Sequence, residues 1–332
     1  MTFSERPKIA VVGAGRMGRL HIRVLNKMGA LHSIVEIDKQ VADEYSKRYG
    51  ILTYSSLEKV MESKSQPDGI ILSVPTSLHF TLSKQLLTDY DIKGLLIEKP
   101  VTETLEEAEE LIDLAKNKKT VIQVGHIEIY NPIVNRMLAL LDEDVIGQIQ
   151  TIKIERRGAV PERRISSLGD VLEDIGIHDL DLISRLMPGD IQLYCTAITV
   201  EDVYNSAQII LNNKSKCNGI IILSRQYAGK RRLIEIEGTK GTMSVDLLAQ
   251  IIQLRSLDMI IGEEKAVHVP FSSGGFFKVY GEPLQEELDD FLTCIQTGSQ
   301  PKVDLLQGYK ALKLVQDCKR SLRDEVVIQT TL

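Results

Sequence analysis

Lys8-Ile9-Ala10-Val11-Val12-Gly13-Ala14-Gly15-Arg16-Met17-Gly18 is the stretch that decides the fold of this chain. The first five residues end in an unbroken apolar run, the pattern of a strand buried on both faces. The run passes directly into G-x-G-x-x-G. An amphipathic helix follows through Leu20, Val24, Leu25 and Met28 and closes at Gly29. In the order strand, glycine motif, helix, the fingerprint predicts dinucleotide binding. Gly13 permits the tight turn, Gly15 lets the main chain approach a pyrophosphate, and Gly18 lets helix and strand pack closely. The helix N-terminus attracts the phosphates. Arg16 and Met17, inside the motif, are assigned to the cofactor with the three glycines.

Outward from this stretch, apolar strands and amphipathic helices alternate with short connections. Residues 31–35 read as the second strand, ending in Glu36-Ile37-Asp38. An acid about 20 residues past the fingerprint accepts hydrogen bonds from the adenosine ribose. Glu36, directly at the end of the apolar run, is preferred, with Asp38 as the fallback. Either carboxylate favours NAD over NADP, although Lys39 offers a nearby cation. Residues 69–74 form another buried strand, broken by Pro75-Thr76-Ser77; Ser73, Pro75 and His79 at its mouth are assigned to the cofactor. Gly94-Leu95-Leu96-Ile97-Glu98-Lys99-Pro100 is a further strand that delivers an acid and a base at its tip. The residue before a proline is pushed to extended geometry, so Lys99 is expected to be strand-like at the carboxyl edge of the sheet, where open α/β folds bind ligands. Lys99 is therefore a catalytic candidate, Glu98 either orients or neutralises it, and both are also assigned to the cofactor. Thr104 and Glu107 have capping-box spacing. The expected class is α/β, with a doubly wound parallel sheet over residues 1–125.

From residue 126 onward the pattern changes. Ile152 and Ile154 alternate with Lys153 and Glu155, and Ile234 and Ile236 with Glu235 and Glu237. Such period-two runs predict a large mixed or antiparallel sheet packed on one side, in an α+β domain of residues 126–332 that ends in two helices. The basic run 229–232 reads as a solvated hairpin tip. Asp174 and His178 are four apart on a helical pattern and share a face. A carboxylate beside an imidazole raises its basicity and fixes its ring, which suits proton abstraction near neutral pH; a structural pair is the alternative. An Asp/His metal site lacks further ligands at matching spacing, and no metal is expected. His126 is a candidate for lining the cleft, and His21 for the core. Arg156, Arg157, Arg163 and Arg164 flank a loop before the Asp174 helix, and arginines suit bidentate phosphate contacts.

With 332 residues the chain has room for two domains. A net charge of −6 argues against nucleic acid or an anionic membrane as the partner. The four cysteines are scattered without zinc or redox spacing, and no apolar run approaches a bilayer span. The polar start gives no signal peptide. A cytoplasmic location follows as the expectation.

The fingerprint at Gly13 to Gly18, Glu98-Lys99-Pro100 closing a later strand and Asp174-x-x-x-His178 together resemble the glucose-fructose oxidoreductase/inositol dehydrogenase/MocA family over nearly the whole chain. The resemblance implies a Rossmann domain, a second domain whose open sheet makes homodimers or homotetramers, and NAD(P)-linked oxidation or reduction of a sugar or cyclitol hydroxyl. It places the ribose-contacting acid at Glu36. A finer likeness is to the UDP-N-acetylglucosamine 3-dehydrogenase branch, through Gly125-His126-Ile127-Glu128-Ile129-Tyr130-Asn131-Pro132, through Arg156-Arg157 with Pro161 and Arg164, and through Glu282-Pro283-Leu284. It implies substrate contacts from Lys99, Tyr130, Asn131, Arg157, Arg164, Asp174 and His178. The chain departs from that branch at Ala159-Val160, at Ile129 and in the spacing from Gly169 to Asp174. The implied reaction moves a hydride between nicotinamide C4 and a sugar ring carbon, C3 in the nucleotide-sugar case. His178 is the base, oriented by Asp174, and Lys99 stabilises charge on the reacting oxygen; a desolvated Lys99 is the alternative base. An inositol or free-sugar dehydrogenase is the second enzyme reading. A regulatory protein that binds NAD(P) without turnover is the reading from another class.

Overall fold

The structure, a computed structural model, describes residues 6–161, 168–214, 217–256 and 276–331. The chain divides into two compact units, one of residues 1–127 and 283–312, the other of residues 128–282 and 313–332.

In the first unit, strands β1 (Ile9–Val12), β2 (Leu31–Val35), β3 (Leu52–Tyr54), β4 (Gly69–Leu72), β5 (Gly94–Ile97) and β6 (Val121–Val124) alternate with helices α1 (Gly18–Lys27), α2 (Lys39–Tyr49), α3 (Leu57–Met61), α4 (His79–Asp89) and α5 (Leu105–Ala115). The sheet order is β3-β2-β1-β4-β5-β6, with every pair parallel. β1, β4, β5 and β6 are buried along their whole length, as a sheet covered on both faces requires. The order reverses between β1 and β4, so their carboxyl ends flank the crevice where such sheets take ligands.

The expectation that residues 126–332 stay together meets a difference here. Helix α8 (Pro283–Thr297) belongs to the first unit. Its Phe291 and Ile295 lie against Gly94 so closely that a Cβ there would stand 2.5 Å from the Ile295 side chain. Leu284, Leu288, Phe291 and Leu292 enter the same core as Ile9, Val11 and Leu96. A core contact of this kind is set by shape and leaves no motif in the helix itself.

The second unit contains α6 (Pro132–Asp142), α7 (Ile177–Leu186) and a nine-stranded sheet. Its strands are β7 (Ile149–Ala159), β8 (Asp190–Val200), β9 (Val203–Asn213), β10 (Asn218–Ser224), β11 (Gln226–Gly238), β12 (Gly241–Asp246), β13 (Ile251–Ser256), β14 (Phe276–Lys278) and β15 (Ile328–Thr331). The order is β14-β13-β12-β11-β7-β10-β9-β8-β15, antiparallel except for the parallel pair β7 and β10. Successive side chains point to opposite faces. Ile152, Ile154, Ile209, Leu211, Ile221, Leu223, Ile234 and Ile236 are buried on one face. On the other face Tyr194, Ile198, Ile210 and Ile220 are exposed. A last helix, α9 (Leu305–Asp324), leads to β15.

The run 229–232 is not a hairpin tip. Lys230, Arg231 and Arg232 lie inside β11, paired with Gly158, Arg157 and Arg156 of β7. No helix among the described residues is long and apolar enough to cross a membrane.

Candidate active site

In the first unit, β1 enters the fingerprint at Gly13, whose φ of +89° favours glycine. A Cβ on Gly13 would stand 2.4 Å from the Ser73 carbonyl oxygen, and one on Gly18 would stand 1.9 Å from the Gly13 carbonyl oxygen. These two glycines let loop, helix and neighbouring strand close on one another. Gly15 differs: a Cβ there would meet no protein atom within 4 Å. Its hydrogen faces open space, as a main chain approached by a ligand should. Helix α1 has no side-chain cap and no acid in its first turn, leaving its N–H donors and its positive dipole end for an anion. The cleft beside it, of about 420 Å³, is lined by Gly13, Gly15, Glu36, Ser73, Pro75 and Leu78 among others.

Between the two acids, the geometry decides. Asp38 caps α2, its Oδ1 accepting from the main-chain nitrogens of Gln40 at 2.8 Å and Val41 at 3.3 Å. Glu36 lines the cleft, accepting from Ala14 N at 2.8 Å and from Asp38 N at 3.0 Å. Open glycine, uncapped helix and acid at the end of β2 fit a dinucleotide. Arg16 is exposed in the loop, and Met17 is half-buried where α1 begins.

The strand that carries Lys99 stops one step earlier than expected. β5 pairs through Ile97, and Glu98 N still donates to Leu72 O at 3.0 Å, but Lys99 lies in a bend with a cis peptide to Pro100. Lys99 is half-buried. Glu98 is buried, with Oε1 2.7 Å from Nε2 of the wholly buried His21 on α1 and Oε2 accepting from Lys99 N at 3.3 Å. Its carboxyl is thus engaged inside the fold, with His21 and with the main-chain nitrogen of Lys99. His79, also assigned to the cofactor, is turned inward. It is 1% exposed, and its ring nitrogens face the carbonyl oxygens of Pro100 at 2.8 Å and Val74 at 3.1 Å, so the ring holds the turn. Burial pulls its pKa down. Glu287 on α8 is buried, and its carboxyl oxygens have no hydrogen-bond partner. Burial and then the charge of Glu98 push its pKa well up. Sequence reading missed Glu287 because its packing against the sheet is invisible in the helix pattern.

In the second unit, Asp170 accepts from the main-chain nitrogens of Leu172 at 2.9 Å and Glu173 at 3.0 Å and so starts a π-helical turn, Leu172–Gly176, that runs into α7. Such turns recur at functional sites. Asp174 sits in it and His178 follows in α7, half-buried. The Asp174 carboxylate lies 3.3 Å from the guanidinium of Arg225, which is itself 1% exposed and donates to Gly169 O at 2.7 Å. Arg225 was not foreseen; an arginine after an apolar strand gives no spacing signal.

Arg156 and Arg157 are adjacent on β7 and point to opposite faces. Arg156 meets Asp179 of α7 through two hydrogen bonds of 2.8 Å. It also lies 3.4 Å from Glu128, which pairs with Arg232 at 3.3 Å. Burial acts to raise Glu128, but Arg156 and Arg232 outweigh it and hold it below the usual carboxylate range. Arg157 is on the far face, paired with Glu155 and stacked on Tyr227 with its guanidinium 4.9 Å from the ring centre. The structure therefore corrects the assignment of Arg157: it stands on the opposite face from α7. Tyr130 is wholly buried, and Asn131 is buried as the cap of α6, accepting from Ile133 N at 3.2 Å. Neither presents a free surface to a substrate. Arg163 and Arg164 lie outside the described residues. No group of three His, Cys, Asp or Glu side chains that could hold a metal ion occurs among the described residues.

The family of oxidoreductases with an NAD-binding Rossmann fold, GFO/IDH/MocA, matches residues 7–126, and its C-terminal domain matches residues 134–244. The chain belongs to this family. It is 23% identical to inositol 2-dehydrogenase of Rhizobium meliloti over 96% of this chain and 97% of that protein. It is 26% identical to UDP-N-acetylglucosamine 3-dehydrogenase of Acidithiobacillus ferrooxidans over 92% of this chain and 94% of that protein. The solved structure of the latter, GnnA, superposes with a TM-score of 0.83 at 21% identity, covering 97% and 99% of the two chains. The chain is thus an NAD-dependent oxidoreductase of the sugar and polyol class.

Proposed function

We propose that the protein moves a hydride between NAD and a ring carbon of a sugar, C3 of a nucleotide sugar such as UDP-N-acetylglucosamine. The observation that carries this is the bend at Lys99, at the carboxyl end of β5 in the unit that holds the fingerprint cleft. Gly13, Gly15, Gly18 and Glu36 hold the dinucleotide, with Arg16, Met17, Ser73 and Pro75 beside them. Bound there, NAD supplies the hydride acceptor. Lys99 donates a hydrogen bond to the reacting oxygen and stabilises its developing negative charge. His178 takes the hydroxyl proton, and Asp174 orients it. Asp174 is in turn held by Arg225.

The nucleotide-sugar choice is supported by the Acidithiobacillus relative, 26% identical over nearly the whole chain. With Arg157 on the far face of the sheet, the grip on a diphosphate rests on Arg164 and on Arg232, a partly exposed arginine on the same face as α7. The second reading, an inositol or free-sugar dehydrogenase, is supported by the Rhizobium relative. Incubation with NAD and a panel of UDP-sugars, myo-inositol and hexoses, followed by the absorbance of reduced nicotinamide, separates the two. Turnover of UDP-N-acetylglucosamine is the expected result; turnover of myo-inositol alone supports the second. Exposed Tyr194, Ile198, Ile210 and Ile220 on the outer face of the nine-stranded sheet support a homodimer or homotetramer formed there. Four buried free thiols support a cytoplasmic location.

A further inference from the structure

Two buried histidines grip the turn that presents Lys99, one on either side of it. His21 comes from the first turns of α1 and meets Glu98 at 2.7 Å, across 77 residues of sequence. His79 opens α4 and meets the carbonyl oxygen of Pro100 at 2.8 Å. Neither ring reaches solvent. His21 Nδ1 has no hydrogen-bond partner, so the arrangement suits the tautomer with its proton on Nε2, donated to Glu98. A neutral His79 donates to one carbonyl only, and the shorter contact is the one to Pro100. Glu98 Oε1 accepts the His21 Nε2 proton, with the two atoms 2.7 Å apart.

Each histidine follows closely on a loop that lines the nucleotide cleft, Gly13–Gly15 for His21 and Val74–Pro75 for His79. His21 follows the fingerprint by one helical turn, and His79 follows Val74, Pro75 and Leu78, which line the cleft. On the footing that Lys99 acts in turnover, we infer that His21 and His79 are positioning residues for Lys99 and that they couple its placement to occupancy of the cleft by the dinucleotide. Ligand pressing on α1 and on the Val74–Leu78 turn is transmitted through Glu98 and Pro100 to the main chain on both sides of Lys99.

The two grips use different ring nitrogens, which makes the test specific. A glutamine amide nitrogen reaches the position of Nε2, and an asparagine amide nitrogen that of Nδ1. His21→Gln and His79→Asn therefore keep the contact, while His21→Asn and His79→Gln break it. The full chain is reductively methylated with ¹³C-formaldehyde, the Lys99 signal is assigned by its absence in Lys99→Arg, and NADH is titrated. In the unsubstituted protein and in the two conserving variants the Lys99 signal moves as NADH saturates. In the two breaking variants that movement is lost, while NADH still binds within about threefold. With the substrate the panel identifies, kcat falls about tenfold or more in the breaking variants, the scale of a misplaced catalytic group, and KM for NAD changes little. The crossed pattern ties the effect to the named ring nitrogen, and loss of the NADH-dependent movement with NADH affinity kept separates positioning from a merely structural role. The inference is overturned if Gln and Asn behave alike at each position, or if NADH affinity falls in step with kcat. Full turnover by Lys99→Met would instead overturn the role of Lys99, and the methyl-lysine signal would still report on the clamp.

Discussion

The turn between β1 and α1 is built almost without side chains, from Gly13, Gly15, Gly18 and the bare first turn of α1. The patch around Arg156 is built in the opposite way. There Arg156, Arg232, Glu128 and Asp179 balance two positive charges against two negative ones. Within the first unit, α5 shows what α1 omits. It has a complete capping box from Thr104 and Glu107 and two acids in its first turn. Such a helix has satisfied its own N-terminus and offers nothing to an anion. A site made of main chain is created by leaving donors unused; a site made of side chains must first pair every charge it buries.

Several substitutions can break this contrast. The largest effect is expected at Arg156. Arg156→Ala leaves Asp179 and Glu128 buried without their main partner and should cost about 3–5 kcal/mol in a denaturant titration. A loss below about 1 kcal/mol would mean that the network is solvated.

Each unit also buries a strained acid. Complete burial pushes Asp181 up to about 6 despite Arg185 at 3.2 Å, and Glu287 is pushed well above its ordinary value. For an acid raised in the fold, the folded state holds the extra proton. Stability is then full below the unfolded value and is lost as pH rises through the folded one. Asp181→Asn should gain on the unsubstituted protein by about 1–3 kcal/mol as pH rises from about 4 to 6. Glu287→Gln should show its gain extending to higher pH. His79 runs the other way, since its folded pKa is lowered: stability falls as pH drops below about 6.5. Stability measured against pH for the two variants checks the signs at both acids, and parallel curves would contradict them.

Gly94→Ala places a Cβ against Ile295 and Phe291 and should cost about 1–3 kcal/mol through overpacking. Calorimetric unfolding checks it. The smallest free-energy change is the sharpest. Gly15→Ala finds no protein atom in its way, so its melting temperature should stay put. Its NADH affinity should fall about tenfold, or about 1.4 kcal/mol. Equal loss of both would make Gly15 a folding glycine.

The same contrast explains what could be read from sequence. A main-chain site leaves a spacing, and the fingerprint, Glu36 and the capping box at Thr104 were all legible as patterns. The parallel sheet was legible too, because fully buried strands are unbroken apolar runs. Arg156 and Arg157 look identical in a sequence, and only strand alternation sends one toward Asp179 and the other to Tyr227. The run 229–232 looked like a loop because its charges are many; in β11 Arg231 pairs with Glu155 of β7 and Arg232 with Glu128, 104 positions away. Glu98 was visible, but its partner His21 was not, since pairing across 77 residues has no local signature. Helix α8 was found as a helix, while its place against Gly94 depended on a missing side chain in a distant strand.

The most direct measurement is NAD reduction with UDP-N-acetylglucosamine by the unsubstituted protein, Lys99→Met and His178→Ala under the same conditions. The account predicts turnover by the first and losses of about 10²–10⁴ in kcat in each variant, with NADH binding retained. Near-normal turnover by both variants would contradict it.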